Sequence, residues 1–302
     1  MKTALITGAT DGIGKQTALN IASENNHVII IGRDSTKCKL VCDEISNKTN
    51  NNNVEYFTFD LSLITDNKAL ATKIKNNFNK IDILINNVGA MFTKYQETKE
   101  GFEKTFALNH LGPFTLTIEL LDLLLENNSS RIVNVSSAAH YNVIDGDIKK
   151  ENKRTFIEKK FFRTEFDINN LQRKNNYKGT HQYSCSKLMN ILFTYKLASS
   201  YLENKNITIN CLHPGFVASK FGHNNGGILK TFFKFAQRVQ ALSLVDGAKS
   251  STYAALSNDL DNMSGIYIDE DCSVIESSSL SYNKELQNKL WEQSLSLINT
   301  KG

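Results

Sequence analysis

Proline is nearly missing: Pro113 and Pro214 are the two in 302 residues. Long helices can therefore run without a ring to break them, and fixed turns are expected at those two places. Cysteine is no richer in pattern. Cys38, Cys42, Cys185, Cys211 and Cys272 are odd in number and scattered, with no C-x-x-C pair and no Cys/His cluster of the kind that holds zinc. Reduced thiols in the cytoplasm are the expectation. Charge of one sign is also scarce. The formal net charge is +4 and no run of Lys/Arg alternates with aromatics, which argues against a dedicated nucleic-acid binder. Long apolar runs are absent as well. The greasiest, Leu116 to Leu125, is interrupted by Glu119 and Asp122 and is too short to span a bilayer. Because Thr3 to Thr7 is already strand-like, no signal peptide is expected ahead of it. Peripheral contact with a membrane surface and self-association are left open.

What is present is ordinary globular material. The chain is 40% hydrophobic and 22% charged, with enough length to bury a large core. No internal repeat or linker divides it, so one domain over residues 1–302 is expected. Thr3–Thr7, His27–Ile31, Val54–Phe59, Ile81–Ile85, Arg131–Val135, Asn206–Leu212 and Gly265–Ile268 read as seven short strands. Helical stretches lie between most of them, among them Lys15–Glu24, Ser35–Asn47, Thr65–Phe78 and a long region from Gly101 to Asn127. Leu244–Leu256 and Asn283–Leu297 are helical too, and Thr231–Val239 reads as an amphipathic helix over the site. Strand and helix alternating at this interval predict an α/β fold of the Rossmann type, doubly wound around a mostly parallel sheet.

In such sheets ligands sit at the carboxyl ends of the strands. The first strand runs into Gly8-Ala9-Thr10-Asp11-Gly12-Ile13-Gly14 and then a helix. That order lets glycine backbone approach a pyrophosphate that the helix N-terminus holds. The second strand ends in Gly32-Arg33 rather than an acid, which favours the 2′-phosphate of NADP(H) over the free ribose hydroxyl of NAD(H). Lys15 offers a second positive charge, and Asp34 a cap for the next helix. Asp60-Leu61 and Asn87-Val88-Gly89 end the third and fourth strands on the same edge. Asn109 precedes Gly112-Pro113, a setting that suggests a local distortion with a polar purpose. Ser136-Ser137 ends the fifth strand, and His213-Pro214-Gly215-Phe216-Val217-Ala218-Ser219 the sixth. Between them, Tyr183 and Lys187 lie four residues apart, sharing one face of a helix with an apolar stripe. A nearby ammonium favours the phenolate and would lower the Tyr pKa, suiting it to proton transfer.

Together these residues resemble the short-chain dehydrogenase/reductase family over nearly the whole chain. Thr7 to Gly14 matches its T-G-x-x-x-G-I-G turn. Asn86-Asn87-Val88-Gly89 matches N-N-A-G, with Val88 for Ala, and Tyr183/Lys187 match Y-x-x-x-K. The stretches Arg131 to His140, Ser186 to Phe193, His213-Pro214-Gly215 and Leu290-Trp291-Glu292 are most similar to its retinol dehydrogenase-like branch. The resemblance implies an NADP(H)-dependent oxidoreductase interconverting carbonyl and alcohol on a small apolar substrate, a retinoid, steroid or lipid-like aldehyde or ketone. It implies Asn109, Ser137, Tyr183 and Lys187 as the catalytic set. Gly8, Thr10, Asp11, Gly12, Ile13, Gly14, Arg33, Asp60, Leu61, Asn87, Val88, Gly89, Tyr183, Lys187, Pro214, Gly215, Val217 and Ser219 are implied as cofactor contacts, with no metal. Ile148 to Phe166 reads as a charged insertion within a substrate-side loop of about residues 145–180. That insertion keeps a second reading open, a non-catalytic NADP-binding or interaction protein; a sugar-nucleotide epimerase is a third.

Overall fold

The computed structural model describes residues 1–126, 129–144, 163–203, 205–216 and 243–301. Eight strands form one sheet: β1 (Thr3–Thr7), β2 (His27–Gly32), β3 (Val54–Thr58), β4 (Ile83–Asn86), β5 (Ser130–Val135), β8 (Ile207–Leu212), β9 (Tyr267–Ile268) and β10 (Val274–Ile275). Their order across the sheet is β10-β9-β8-β5-β4-β1-β2-β3. All pairs are parallel except β9 with β10. The seven expected strands are there, and β10 is an addition. It folds back on β9 through a tight turn in which Asp269 N–H donates to Ser273 O (2.9 Å) and Cys272 N–H to Asp269 O (3.1 Å). Cys272 takes a φ of 75° there. Two residues with no alternation around them give no strand period to read.

A separate pair, β6 (Val143–Ile144) with β7 (Thr164–Glu165), brackets most of the expected insertion. Residues 148–162 of that insertion lie outside the described residues, as does the amphipathic stretch 231–239.

Side chains alternate along the sheet as period-2 geometry requires. Leu5, Ile29, Ile31, Leu84 and Ile132 feed one core. Ala4, Ile6, Val28, Ile30, Ile83, Ile85 and Val133 feed the other. Over the second core lie α1 (Gly12–Ser23), α2 (Ser35–Thr49) and α8 (Leu244–Leu256), through Ala18, Ile21, Val41, Ile45 and Ala254. The first is covered by α3 (Ile64–Asn77), α5 (Gly112–Glu119), α7 (Gly179–Ser200) and α9 (Lys284–Asn299). Asp34 caps α2 as expected, its Oδ1 accepting from Lys37 N–H at 3.0 Å. Among the described residues no helix is long and apolar enough to cross a membrane.

Two expectations change here. The long helix expected over 101–127 is divided into α4 (Lys104–Phe106), a π turn (Ala107–Leu111), α5 and α6 (Leu121–Leu125). Pro113 has no N–H to offer the carbonyl of Asn109 four residues back, so the α-helical ladder must be interrupted at that point. The second is refined: α7, expected as a largely buried helix with an apolar stripe, has every residue from Ser184 to Tyr195 buried, so that stretch is enclosed on all sides.

The π turn also carries His110 into the core, with no exposure to solvent. Its ring lies between Phe106 and Phe114, at 5.6 and 5.8 Å. Ser294 donates its hydroxyl to Leu290 O and so accepts from His110 Nε2 at 2.8 Å. Nδ1 has no partner among the described residues. Burial pushes the imidazole pKa down to about 3, below an unfolded value of roughly 6.5. The unfolded chain therefore binds the extra proton as pH falls from 6.5 toward 3, and stability is lost across that window. Chemical unfolding at pH 7 and pH 5 should show wild type losing about 2 kcal/mol more than His110→Gln. Equal losses would refute the neutral buried ring.

Candidate active site

The carboxyl ends of β1, β2, β4, β5 and β8 converge where the strand order turns back on itself between β1 and β4, the usual crevice for a ligand in such a sheet. The β1 end carries the glycine turn. Gly8 and Gly12 adopt left-handed φ values of 66° and 57°. Asp11 caps α1, its Oδ1 accepting from Gly12 N–H at 2.8 Å. A Cβ on Gly14 would stand 2.3 Å from Asn87 Nδ2 and 2.6 Å from Gly8 O. Only glycine lets the helix start this close to the strand.

Asn87 is what the turn closes on. Its Nδ2 donates to Thr7 O (2.9 Å) and Gly8 O (3.2 Å). Thr7 Oγ1 in turn accepts from the N–H groups of Asn87 (3.0 Å) and Val88 (3.1 Å). The Asn87 amide is therefore turned into the protein, and its backbone is what a ligand could meet. Sequence reasoning overlooked Thr7 in this role, although it stands in the same motif. Thr10 packs over Gly32 at the end of β2: its Cγ2 is 2.5 Å from where a Gly32 Cβ would be. Arg33 beside it is exposed, with no ion pair among the described residues. Lys15 is engaged elsewhere, in an ion pair with Glu44 at 2.5 Å. Asp60 accepts from the hydroxyl of Ser62 at 2.8 Å. Leu61 is buried in the core, and its carbonyl accepts from Asn67 Nδ2 at 3.1 Å. Ile13 and Val88 are half-buried at the same edge.

The two serines after β5 part ways. Ser136 is buried and donates its hydroxyl to Lys187 O at 2.8 Å. Ser137 is half-buried and its hydroxyl is hydrogen-bonded to Tyr183. Lys187 is buried, places Nζ 5.6 Å from the centre of the Tyr183 ring, and donates to Val135 O at 2.8 Å. An ammonium has three donors, so two remain for other partners. Gly89 lies opposite: a Cβ there would come within 3.2 Å of Lys187 Nζ and 3.5 Å of Asn109 Oδ1. That is a cradle left open by a missing side chain.

Asn109 reaches the site from the π turn. Its Oδ1 accepts from Ala90 N–H (2.9 Å), and its Nδ2 donates to Ala90 O and Ser186 Oγ, both at 2.9 Å. Ser186 donates to Tyr183 O at 2.7 Å. Asn109 thus ties the loop after β4 to the helix of Tyr183 and Lys187. Past β8, Pro214 and Gly215 are held by His213, whose Nδ1 accepts from Gly215 N–H (3.2 Å) while Nε2 meets Asp269 Oδ1 (2.5 Å). Val217 and Ser219 lie outside the described residues.

The electrostatics differ from the sequence expectation. Burial raises the Tyr183 pKa to about 12, and the Ser137 hydrogen bond pulls it the other way. Burial lowers Lys187 to about 8. The ammonium was expected to lower the phenol. Instead the cost of burying a phenolate wins, because Lys187 is itself desolvated and spends a donor on Val135 O. A buried carboxylate also went unread: Glu103 accepts from Tyr177 OH (2.9 Å) and Gln182 Nε2 (2.9 Å), bracing the start of α7 next to Tyr183.

The family model described as short chain dehydrogenase matches residues 2–146. Human (Homo sapiens) retinol dehydrogenase 13 is 35% identical over 306 residues, covering 98% of this chain and 84% of its own. The chain belongs to the short-chain dehydrogenase/reductase family. Within this oxidoreductase family it is retinol dehydrogenase-like. It is also similar to human polyprenol dehydrogenase, at 33% identity with 97% and 84% of the two chains covered. Among solved structures, an uncharacterised protein from Mycobacterium Paratuberculosis superposes with a TM-score of 0.73 at 25% identity, over 99% of this chain and 94% of that one. A short chain dehydrogenase from Escherichia coli CFT073, complexed with NADPH, shares the fold with a TM-score of 0.63 at 20% identity, over 89% and 96% of the chains.

The glycine turn, the start of α1 and the gap at Gly89 fit a dinucleotide of the kind this family uses. The tightest of these approaches can be tested without a ligand. Gly14→Ala should lower thermal and urea stability by about 1–3 kcal/mol; unchanged stability would rule out the contact with Asn87 and Gly8.

Proposed function

We propose that the protein is an NADP(H)-dependent dehydrogenase/reductase that interconverts a carbonyl and an alcohol on an apolar substrate, with Tyr183 as general acid and base. One observation carries this reading: Ser137, Tyr183 and Lys187 meet at the sheet edge that also holds the glycine turn. The alternative of a binding protein without turnover would not need that convergence.

When bound, the nicotinamide supplies or takes the hydride at the carbon of the substrate. The residues handle the proton and the charge. Ser137 and Tyr183 both hydrogen-bond the substrate oxygen. Tyr183 holds its proton at neutral pH, which suits it to donate as the carbonyl oxygen becomes an alkoxide. The Ser137 hydroxyl stabilises the charge that develops there. The Lys187 ammonium sits beneath the ring, where it offsets the phenolate left behind, and the two donors without a hydrogen-bond partner among the described residues suit the ribose hydroxyls of the cofactor. The Asn109 carbonyl lost its helical donor to Pro113 and so suits a water that returns a proton to Lys187. In oxidation the same relay runs backward.

Gly8, Thr10, Asp11, Gly12, Ile13 and Gly14 would hold the pyrophosphate side, with Asp11 releasing or sharing the Gly12 N–H. Asp60, the Leu61 main chain and the Asn87–Gly89 backbone would border the adenosine; Pro214, Gly215, Val217 and Ser219 would border the nicotinamide. Arg33, exposed and without an ion pair among the described residues, supports NADP(H) over NAD(H). The relatives named for retinol and polyprenol, both long apolar alcohols, support an apolar substrate. A cytoplasmic enzyme that draws it from a membrane surface is consistent with this chemistry.

NADPH oxidation with retinal, long-chain aldehydes and steroid ketones tests the reading. Tyr183→Phe should lower kcat by about 100-fold or more while NADPH binding survives; full turnover would overturn the role of the phenol. Arg33→Ala should erode the preference for NADPH over NADH by roughly 10-fold. Above pH 8 Lys187 loses its charge, so reductive kcat/KM should fall along an alkaline limb with an apparent pKa near 8. A profile flat to pH 10 would remove Lys187 from the relay.

A further inference from the structure

His140 is fully buried, on the turn Ala138–Asn142 that follows Ser137. Its Nε2 lies 3.1 Å from the backbone N of Ser278. A backbone N–H can only donate, so Nε2 accepts and the ring proton sits on Nδ1. Nδ1 is 2.7 Å from Ser137 O and donates to it. The His140 backbone N–H donates to the same carbonyl at 3.1 Å. One residue thus holds the Ser137 carbonyl twice. On the other side, Ser137 Oγ accepts from Ala139 N–H at 3.2 Å. The ring is wedged by Tyr141 and Tyr267, with centroids at 3.9 and 4.9 Å.

The far end of this link matters as much. Ser277, next to Ser278, meets Tyr195 OH at 2.7 Å, and Tyr195 is on α7 with Tyr183. The Ser137 turn and the Tyr183 helix are therefore moored to adjacent residues of the segment after β10. A shared mooring fixes the separation of the two hydroxyls without touching either.

We propose that His140 is a positioning residue that holds the Ser137 hydroxyl in register with Tyr183, with Ser277–Ser278 as the common anchor. The inference rests on the reading of Ser137 as a partner of the substrate oxygen. A misplacement of about 1 Å costs on the order of 100-fold in a reaction of this kind, which sets the size of the effect. His140→Phe keeps an aromatic ring and removes the ring's hydrogen bonds to Ser137 O, to Ser278 N–H and, longer at 3.4 Å, to Tyr267 OH. Ser278→Pro removes the N–H and sets its ring Cδ where that hydrogen pointed, so it both breaks the bond and pushes Nε2 away; the φ of −59° at that position suits proline, and the Ser278 hydroxyl has no partner among the described residues to lose.

The experiment is a double-mutant cycle on purified full-length protein, with NADPH oxidation by the best carbonyl of the panel and NADPH binding by fluorescence. His140→Phe should lower kcat by about 10- to 100-fold with NADPH affinity within about 2-fold, and Ser278→Pro, which dislodges the imidazole from its anchor, should do the same. Neither should lower kcat further when Ser137 is already alanine. A merely structural histidine would cost the same in both backgrounds, and that result, or no loss from either change, would overturn the proposal. If His140→Phe does not fold, Ser278→Pro decides. Full activity in Ser137→Ala alone would instead overturn the reading of Ser137.

Discussion

Directional bonds to α7 set the geometry on which the rest depends. A helix enclosed on every side is held in place by apolar contacts but not aimed by them, because hydrophobic attraction has no preferred direction. Polar bonds supply the aim. Asn134 of β5 donates to Thr194 Oγ1 at 2.9 Å, and Asn86 of β4 donates to Asn134 Oδ1 at 2.8 Å. Ser136 holds the Lys187 carbonyl, Lys187 holds the Val135 carbonyl, and Asn109 holds Ser186. Each bond lies in a low-dielectric interior where leaving it unmade is costly. A slide or rotation of α7 would break several at once, so Tyr183 has one position relative to the strand ends.

The nucleotide side follows the same logic with different parts. Four bonds join the ends of β1 and β4: two from Asn87 to Thr7, one from Asn87 to Gly8 and one from Val88 to Thr7. They close the turn from below, and at Gly8, Gly12 and Gly14 the backbone carries no side chain of its own. The two halves of the site meet at Gly89, whose missing Cβ leaves room between Lys187 and whatever lies in the crevice. Chemistry and cofactor cradle are thus fixed by separate networks that share one edge of one sheet.

Much of this was legible in the residues. The glycine turn, the Arg33 tip, the serine pair and the Tyr183/Lys187 spacing are local features, and local features survive translation from sequence to fold. Asn109 before Gly112-Pro113 signalled a distortion, and the π turn is that distortion. What could not be read depends on partners distant in sequence. Lys15 is drawn off by Glu44. Ser136 differs from Ser137 only through what α7 places beside it. The direction of the Tyr183 shift depends on how deeply the phenol itself is buried, which spacing alone does not report. Val274–Ile275 is too short to carry a strand signal and exists because β9 offers it an edge.

The bond between His140 and Ser278 spans 138 residues, and this has a consequence for the growing chain. The strands β1 to β4 lie within the first 86 residues. A ribosome adding about 5–20 residues per second delivers Ser278 roughly 7–28 s after His140. Until then the imidazole has no N–H to accept from that side. The serine turn can therefore be clamped only once nearly the whole chain has been made.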